Sequence, residues 1–202
     1  LAEHPRIVIA TDDMYEHIRW DTSTPFVNIL NVRPDLYDRT IVLNGVSKAY
    51  SMTGWRIGYG GGPVELIKAM KKVQSQSTSN PTSIAQVAAE AALNGPQDFI
   101  RVMVTAFEER HDFVVDRLNR MPGVSCLPTD GTFYLFPNVQ ELIERLDGVG
   151  NDVDLAEYLI EKAGVALVPG SAFGLGGHIR LSIATSMANL EKALERIEAV
   201  VQ

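Results

Sequence analysis

The chain has 202 residues, of which 46% are hydrophobic, and a formal net charge of −7 at pH 7. This composition excludes a disordered chain and is sufficient for one substantial core or two modest ones. Because acidic residues dominate and no basic run is longer than a pair such as Lys71-Lys72, the sequence argues against nucleic-acid binding and favours small-molecule chemistry.

The single cysteine, Cys126, excludes an intrachain disulfide framework and is typical of a reducing compartment. No apolar run approaches the roughly 18 residues of a membrane helix, and the N-terminal residues lack a signal-peptide pattern. We therefore expect a cytoplasmic protein that binds no membrane. We predict no metal site, because none of the histidines has metal-ligand spacing to cysteine, aspartate or glutamate; they are His4, His17, His111 and His178.

The first part of the chain predicts short strands joined by polar connections rather than by long helices. Strands are expected at residues 6–10, 40–43 and 55–59. A helix is expected to begin at Pro63, where proline is tolerated in the first turn, with an apolar stripe of Leu66, Ile67, Met70 and Val73. The polar residues 74–81 read as a loop, and a small-residue helix follows at 83–93.

A helical period then continues from residue 97 to about residue 120, which is long enough for a helix that bridges two domains. Beyond it, strands are expected at 124–126, 132–136, 165–168 and 179–183, and helices at 139–146, 152–163 and 189–201. This second part is predicted to be an α+β unit. We place the domain boundary inside the long helix, with domains at 1–112 and 113–202.

The segment Ser47-Lys48-Ala49-Tyr50-Ser51-Met52-Thr53-Gly54-Trp55-Arg56-Ile57-Gly58 carries a lysine eight residues before an arginine. A lysine amine can bond to an aldehyde, and a guanidinium can grip a phosphate with two parallel hydrogen bonds. Pyridoxal 5′-phosphate (PLP) requires both groups. Upstream, Asp12 and Tyr15 follow a predicted strand, and Asp12 precedes Lys48 by 36 residues.

These motifs closely resemble the class I/II aminotransferases, which are fold type I PLP-dependent enzymes, and look most like the bacterial aspartate or aspartate/prephenate subgroup. The resemblance implies an α/β fold: the C-terminal part of a large PLP-binding domain, followed by a small α+β domain. Family members are about twice as long as this chain. We therefore expect it to be the C-terminal half of such an enzyme.

The resemblance also implies the roles of the site residues. Lys48 would bond covalently to the cofactor and act as the catalytic base, Asp12 would pair with the pyridine nitrogen, and Tyr15 would reach the phenolic oxygen. Arg56, with Ser47, would bind the phosphate, although Arg56 could instead pair with a carboxylate of the fold. Asp13 is an alternative to Asp12, but it would place the tyrosine only two residues further on.

One departure and three further resemblances complete this comparison. Gly45 stands where some relatives have another phosphate-contacting serine. Arg180, in the pattern Arg-x-Ser-x-Ala, resembles the arginine that grips the substrate α-carboxylate. Phe133 resembles a wall of the substrate pocket, and residues 168–174 resemble its neighbouring loop, but either could be plain packing.

The implied function is PLP-dependent transfer of an amino group between an L-amino acid, of the aspartate or glutamate type, and a 2-oxo acid. The alternatives are another fold type I enzyme, such as a β-lyase or other amino-acid lyase, or an inactive C-terminal fragment that only dimerises. Ser75 stands where one subgroup has an arginine for a distal carboxylate, so that loop supplies no such cation. A homodimer with a shared active site is expected from the family.

Overall fold

The computed structural model describes residues 3–201 of the chain. The chain divides between Val102 and Met103 into two compact units, which we call the N-terminal unit and the C-terminal unit. The division falls inside the same long helix as the predicted boundary at residue 112. No helix within residues 3–201 is both long and apolar enough to cross a membrane.

The N-terminal unit contains a three-stranded sheet in the order β1-β2-β3. Its strands are β1 (Ile9–Asp12), β2 (Thr40–Gly45) and β3 (Gly58–Gly61). β1 is parallel to β2 with Asp12 opposite Leu43, and β3 is antiparallel to β2 with Gly58 opposite Gly45. The ends of β1 and β2 and the start of β3 therefore meet at one edge of the sheet.

Two strands of this sheet lie about three residues later than the sequence predicted. The prediction of a strand at 6–10 was wrong at its start, because the apolar residues Ile7 and Val8 are 46% and 56% exposed and pairing begins at Ile9. The prediction at 55–59 was displaced because Thr53–Trp55 forms a turn of 3-10 helix before the strand. Between β1 and β2, helix α1 (Ile29–Val32) and a 3-10 helix (Pro34–Arg39) replace the predicted irregular connection.

Helices α2 (Val64–Ser77) and α3 (Ser83–Asn94) follow the sheet. α3 begins at the predicted residue, whereas α2 continues to Ser77, whose hydroxyl donates back to the carbonyl oxygens of Val73 and Gln74. The apolar stripe of α2 forms, but the helix has no buried residue and Val73 is 70% exposed. In contrast, α3 buries Ala85 and Ala89.

Helix α4 (Asp98–Leu118) spans the division and carries a buried face into the C-terminal unit. That unit continues with β4 (Tyr134–Leu135), α5 (Gln140–Arg145), α6 (Asp152–Ala163), β5 (Val168–Pro169), β6 (Ile179–Ser182) and α7 (Met187–Val201). The antiparallel sheet has the order β4-β6-β5. Of the predicted strand at 124–126, only a bridge between Ser125 and Asn138 forms.

The core of the C-terminal unit is built from one face of each long helix and of the central strand. α6 and β6 alternate buried and exposed positions as their periods require. The buried apolar side chains include Val114, Leu118, Leu135, Leu155, Leu159, Ile179, Leu181, Ile183, Leu190, Leu194 and Ile197. Arg180 falls on the opposite face of β6 from Ile179 and Leu181.

Candidate active site

The sheet edge in the N-terminal unit gathers five of the predicted site residues. Asp12 ends β1 and Tyr15 follows it, Ser47 and Lys48 follow β2, and Arg56 precedes β3. Because these strand ends share one edge, the topology places carboxylate, phenol, amine and guanidinium groups together. We call Asp12, Tyr15, Ser47, Lys48 and Arg56 the sheet-edge cluster.

Lys48 is held by its neighbours in the chain. Val46 and Ala49 are buried, at 0% and 2% exposure, and anchor the turn after β2. Ser47 and Lys48 between them are half-buried. The Lys48 Nζ lies 5.6 Å from the centre of the Tyr15 ring, within the range of a cation–π contact. The structure thus joins the predicted lysine and tyrosine across two strands.

Asp12 and Asp13 have opposite environments. Asp13 is 7% exposed, and its two carboxylate oxygens accept hydrogen bonds from the Thr11 hydroxyl (2.6 Å) and the Asn28 amide (3.0 Å). Asp12 is exposed and, among the described residues, its side chain accepts only a 3.3 Å bond from the backbone N–H of Met14. Asp13 is therefore committed to holding the loop before α1, whereas Asp12 retains acceptor capacity for a ligand.

Arg56 occupies a strained backbone position. Its φ and ψ angles are 57° and 45°, in the left-handed region that non-glycine residues rarely adopt. Ser51, in the same connection, has φ 53°. The exposed guanidinium donates from Nη1 to the Thr53 carbonyl oxygen at 2.9 Å, which leaves its other N–H groups for an anion. Strain of this kind is concentrated at binding sites in proteins.

Gly45 has a steric reason to be glycine. A Cβ atom at this position would lie 2.9 Å from the carbonyl oxygen of Ile57 and 3.0 Å from the terminal carbon of Met14. A serine would force β2 and β3 apart. The close approach of the strands beside the cluster therefore favours glycine at position 45.

Arg180 lies in the central strand of the C-terminal sheet, and its guanidinium contacts two aromatic rings. Its guanidinium carbon is 4.5 Å from the centre of the Tyr134 ring and 4.4 Å from that of Phe173. Within residues 3–201, the side chain of Arg180 makes no hydrogen bond or ion pair. We call Arg180, Tyr134 and Phe173 the arginine clamp. Contacts with ring faces use none of the guanidinium N–H groups, which can therefore bind a carboxylate in bidentate fashion.

Phe133 is part of the packing behind this clamp. Its ring is 9% exposed and lies 5.5 Å from the Phe107 ring and 4.7 Å from the Tyr134 ring, measured between centres. The substrate contact proposed for Phe133 stays a prediction. Tyr134 and Phe173 lie within the predicted strand at 132–136 and the loop at 168–174. No spacing in the sequence identified them as partners of Arg180.

Two buried polar residues near the clamp were missed by the sequence analysis. His111 and Asp152 are 2% and 4% exposed. Burial raises the pKa of the Asp152 carboxyl, but hydrogen bonds from Ser171 and from backbone N–H groups outweigh this effect and hold that pKa below its usual value. A charged residue in the first turn of a predicted helix gives no indication that it is buried.

The donor set of the sheet-edge cluster fits PLP. A ligand with an aldehyde, a phosphate and a basic ring nitrogen requires an amine, a cationic fork and a carboxylate. Lys48, Arg56 and Asp12 supply these three groups at one sheet edge, and Asp12 has no strong internal partner among the described residues. The arginine clamp, which belongs to the C-terminal unit, supplies a cation that can bind the carboxylate of a different ligand.

Comparison with known proteins identifies the family of this chain. The family model for aminotransferase class I and II matches residues 1–197. The chain is 56% identical to an aspartate/prephenate aminotransferase of Nitrosomonas europaea, covering 100% of this chain and 52% of the relative. It is 51% identical to an aspartate aminotransferase of Rhizobium meliloti, covering 98% of this chain and 49% of the relative.

Solved structures give the same result. A Rhizobium meliloti aspartate aminotransferase superposes with a TM-score of 0.93 at 50% identity, covering 98% of this chain and 50% of that one. An aspartate aminotransferase of Thermotoga maritima gives 0.83 at 41% identity, covering 98% and 48%. The chain thus spans about half the length of the relatives it matches, as predicted. Its fold is that of fold type I aminotransferases, which are PLP-dependent enzymes, and the chain belongs to the class I and II aminotransferase family.

Proposed function

We propose that the protein carrying this chain transfers an amino group between an L-amino acid and a 2-oxo acid, with PLP bound at the sheet-edge cluster. The observation that carries the proposal is the convergence of Asp12, Lys48 and Arg56 on one edge of the sheet. Each group has a partner on the cofactor, and the amine lies against Tyr15 on the neighbouring connection.

Each residue of the cluster has a distinct task. Arg56 and Ser47 bind the phosphate, and Tyr15 donates to the phenolic oxygen. Asp12 pairs with the protonated ring nitrogen, an interaction worth roughly 4 kcal/mol for charges about 4 Å apart at an effective dielectric of about 20. When bound, PLP supplies an electron sink for charge that develops at the substrate Cα. The Lys48 amine anchors the cofactor and moves the Cα proton as a general base.

Arg180 binds the substrate α-carboxylate in this proposal. The rings of Tyr134 and Phe173 hold the plane of the guanidinium, so that a bidentate pair fixes the orientation of the Cα–H bond. Phe133 belongs to the wall of the substrate pocket. Its ring is packed on Phe107, which gives that wall a rigid base.

The substrate class proposed is an acidic amino acid of the aspartate or glutamate type. Support comes from relatives named aspartate or aspartate/prephenate aminotransferases. Ser75, near the end of α2, supplies no cation for a distal carboxylate. A second cation for a dicarboxylate is therefore expected from outside this chain.

A homodimer and a cytoplasmic location complete the proposal. The dimer rests on the family resemblance, in which the site is shared between two subunits. The location rests on Cys126, a single buried thiol whose pKa burial raises to about 11 and which is therefore unreactive. A chain with one cysteine forms no intrachain disulfide, so an oxidising compartment would add no stability of that kind.

An assay of the full-length protein tests this function. We expect PLP-dependent conversion of aspartate and glutamate to their 2-oxo acids only when a 2-oxo acid acceptor is present, with prephenate tested among the acceptors. Release of ammonia without an acceptor would identify a lyase instead. If the PLP-loaded full-length protein shows neither activity, the remaining alternative is that the chain serves only dimerisation.

A further inference from the structure

The two rings of the arginine clamp are positioned by two separate loops. Tyr134 begins β4 directly after the loop at residues 127–133, and Phe173 ends a 3-10 turn, Gly170–Phe173. Neither ring belongs to β6, which carries Arg180. The residues that fix these loops therefore determine where the guanidinium plane lies.

A buried histidine on α4 fixes the first loop. The His111 Nε2 atom accepts a 2.9 Å hydrogen bond from the backbone N–H of Thr129, so the ring proton resides on Nδ1. Nδ1 lies 2.8 Å from the Asp112 carboxylate, which can accept that proton in a hydrogen bond. One turn earlier on the same buried face, Phe107 packs against Phe133. Helix α4 thus holds this loop at both of its ends.

Between these two contacts the loop is strained. Thr132 has a φ of 72°, a conformation that is rare for a β-branched residue. Its hydroxyl accepts from the backbone N–H of Tyr134 at 3.3 Å, which links the strained residue to the clamp. Such a conformation persists only where the surrounding contacts determine it. His111 provides one of those contacts.

A buried carboxylate on α6 fixes the second loop. The Asp152 Oδ2 atom accepts a 2.7 Å hydrogen bond from the backbone N–H of Ser171, inside the 3-10 turn that ends at Phe173. The turn is also held by a 2.7 Å bond from the Gly170 N–H to the His178 carbonyl oxygen. Asp152 is the first residue of α6, so a rigid helix end holds this loop.

We propose that His111 and Asp152 are positioning residues for Arg180, each acting through a backbone N–H on the loop that supplies one ring of the clamp. The inference rests on the proposed role of Arg180 as the α-carboxylate ligand. Neither residue contacts substrate. Their loss leaves Arg180 in place but allows its guanidinium to tilt, which weakens carboxylate binding more than it slows chemistry.

Steady-state kinetics of the full-length PLP enzyme test this inference, with aspartate as donor and propionate as a carboxylate inhibitor. His111→Gln keeps an acceptor near the Nε2 position, whereas the shorter His111→Asn does not reach Thr129. Asp152→Asn likewise keeps an acceptor that Asp152→Ala lacks. We expect His111→Asn and Asp152→Ala to raise KM for aspartate and the inhibition constant of propionate about tenfold or more, with kcat within about threefold. The His111→Gln and Asp152→Asn variants should lie closer to the parent.

Two variants on the same helices serve as controls. Val114→Ala creates a cavity on the buried face of α4, and Asp154→Ala removes the acceptor of the Gly150 N–H just before α6. Among the described residues, neither side chain forms a hydrogen bond to the loop at 127–133 or to the turn Gly170–Phe173. Both should lower the thermal midpoint and leave KM within about twofold. Equal KM changes in controls and test variants would overturn the inference. The inference is also overturned if His111→Asn and Asp152→Ala keep the parent KM while Arg180→Lys raises it. If Arg180→Lys leaves KM unchanged, the proposed role of Arg180 itself is wrong.

Discussion

The two units of the chain hold their functional groups in different ways. In the N-terminal unit, the sheet-edge cluster lies on connections after short strands, and α2 buries no residue at all. In the C-terminal unit, the guanidinium of Arg180 contacts two rings, and the loops next to these rings bond to residues buried in α4 and α6. The first arrangement gathers reactive groups for a ligand, and the second orients a single cation in advance.

This difference has an energetic consequence. Groups that await a ligand are not needed for folding, so their substitution should cost activity and little stability. Groups that hold loops around Arg180 are buried and hydrogen-bonded, so their substitution should cost both. Substitutions in the two units should therefore separate loss of activity from loss of stability.

The largest expected effect is at Lys48. In the full-length protein, Lys48→Ala should lower kcat by about 10³-fold or more, because no other amine of the cluster can move the Cα proton. The thermal midpoint of the cofactor-free protein should change little. Lys68→Ala is the matched control, since Lys68 pairs only with Glu65 at the surface (3.1 Å). Comparable loss in both variants would remove Lys48 from the mechanism.

A second prediction separates Asp12 from Asp13. Asp12→Ala should lower kcat about a hundredfold or more, because the ring nitrogen loses its counter-charge, and should leave stability near that of the parent. Asp13→Ala should do the reverse and lower the free energy of unfolding by about 1–3 kcal/mol, because Thr11 and Asn28 lose their acceptor. Kinetics and urea unfolding of both variants check this. A crippling Asp13→Ala with a mild Asp12→Ala would shift the assigned register by one residue.

A third prediction concerns the units themselves. Residues 103–202 expressed alone should unfold in one cooperative urea transition with a slope of about 1 kcal/mol/M, because α4, α6 and α7 each bury a face within that unit. Residues 1–102 alone should show no such transition, because α2 has no buried residue and its Val64 and Val73 are 65% and 70% exposed. Circular dichroism monitors both. A cooperative transition in residues 1–102 would show that this unit completes its own core.

A chain of residues 1–202 alone should show negligible transaminase activity even where the C-terminal unit folds. The loss relative to the full-length enzyme should be about a hundredfold or more, because cofactor contacts expected from outside the chain are missing. Robust activity from a monomer of 22.2 kDa would contradict both the expected missing contacts and the expected sharing of the site in a dimer.

The smallest effect is the pH dependence of the Asp152 anchor. Its folded pKa lies below the unfolded value of about 4, so the stability it adds is present above that pH and is lost as the pH falls through the lower folded pKa. Asp152→Asn should be about 1 kcal/mol less stable than the parent at pH 7 and equal to it in strong acid. Urea unfolding at several pH values measures the difference. If the difference in unfolding free energy between Asp152→Asn and the parent stays constant down to strong acid, the ionised carboxylate adds no stability.

Most of the helices were predicted from local pattern, whereas the residues of the cluster were predicted from their resemblance to a known family. The helix predicted at 152–163 has the observed bounds, Asp152–Ala163, since Asn151 caps its first turn and Gly164 in the left-handed conformation ends it. Strand positions were less accurate because pairing partners decide them: β1 begins only where Ile9 meets Thr40.

The residues around Arg180 escaped the sequence analysis for a similar reason. His111 acts on a loop 18 residues away, and Asp152 on one 19 residues away. Neither pair has a spacing that a helix or strand would impose. A buried polar side chain bonded to a distant backbone N–H can be recognised only once the fold brings the two together.

Borohydride reduction of the PLP-loaded full-length protein, followed by peptide mapping, tests the central claim most directly. Reduction makes the bond between cofactor and lysine permanent, so the labelled residue is read without reference to activity. We predict a single label on Lys48, in the connection between β2 and β3. A label on Lys68, Lys71 or Lys72 of helix α2, or no label on a protein that retains the cofactor, would contradict the assignment.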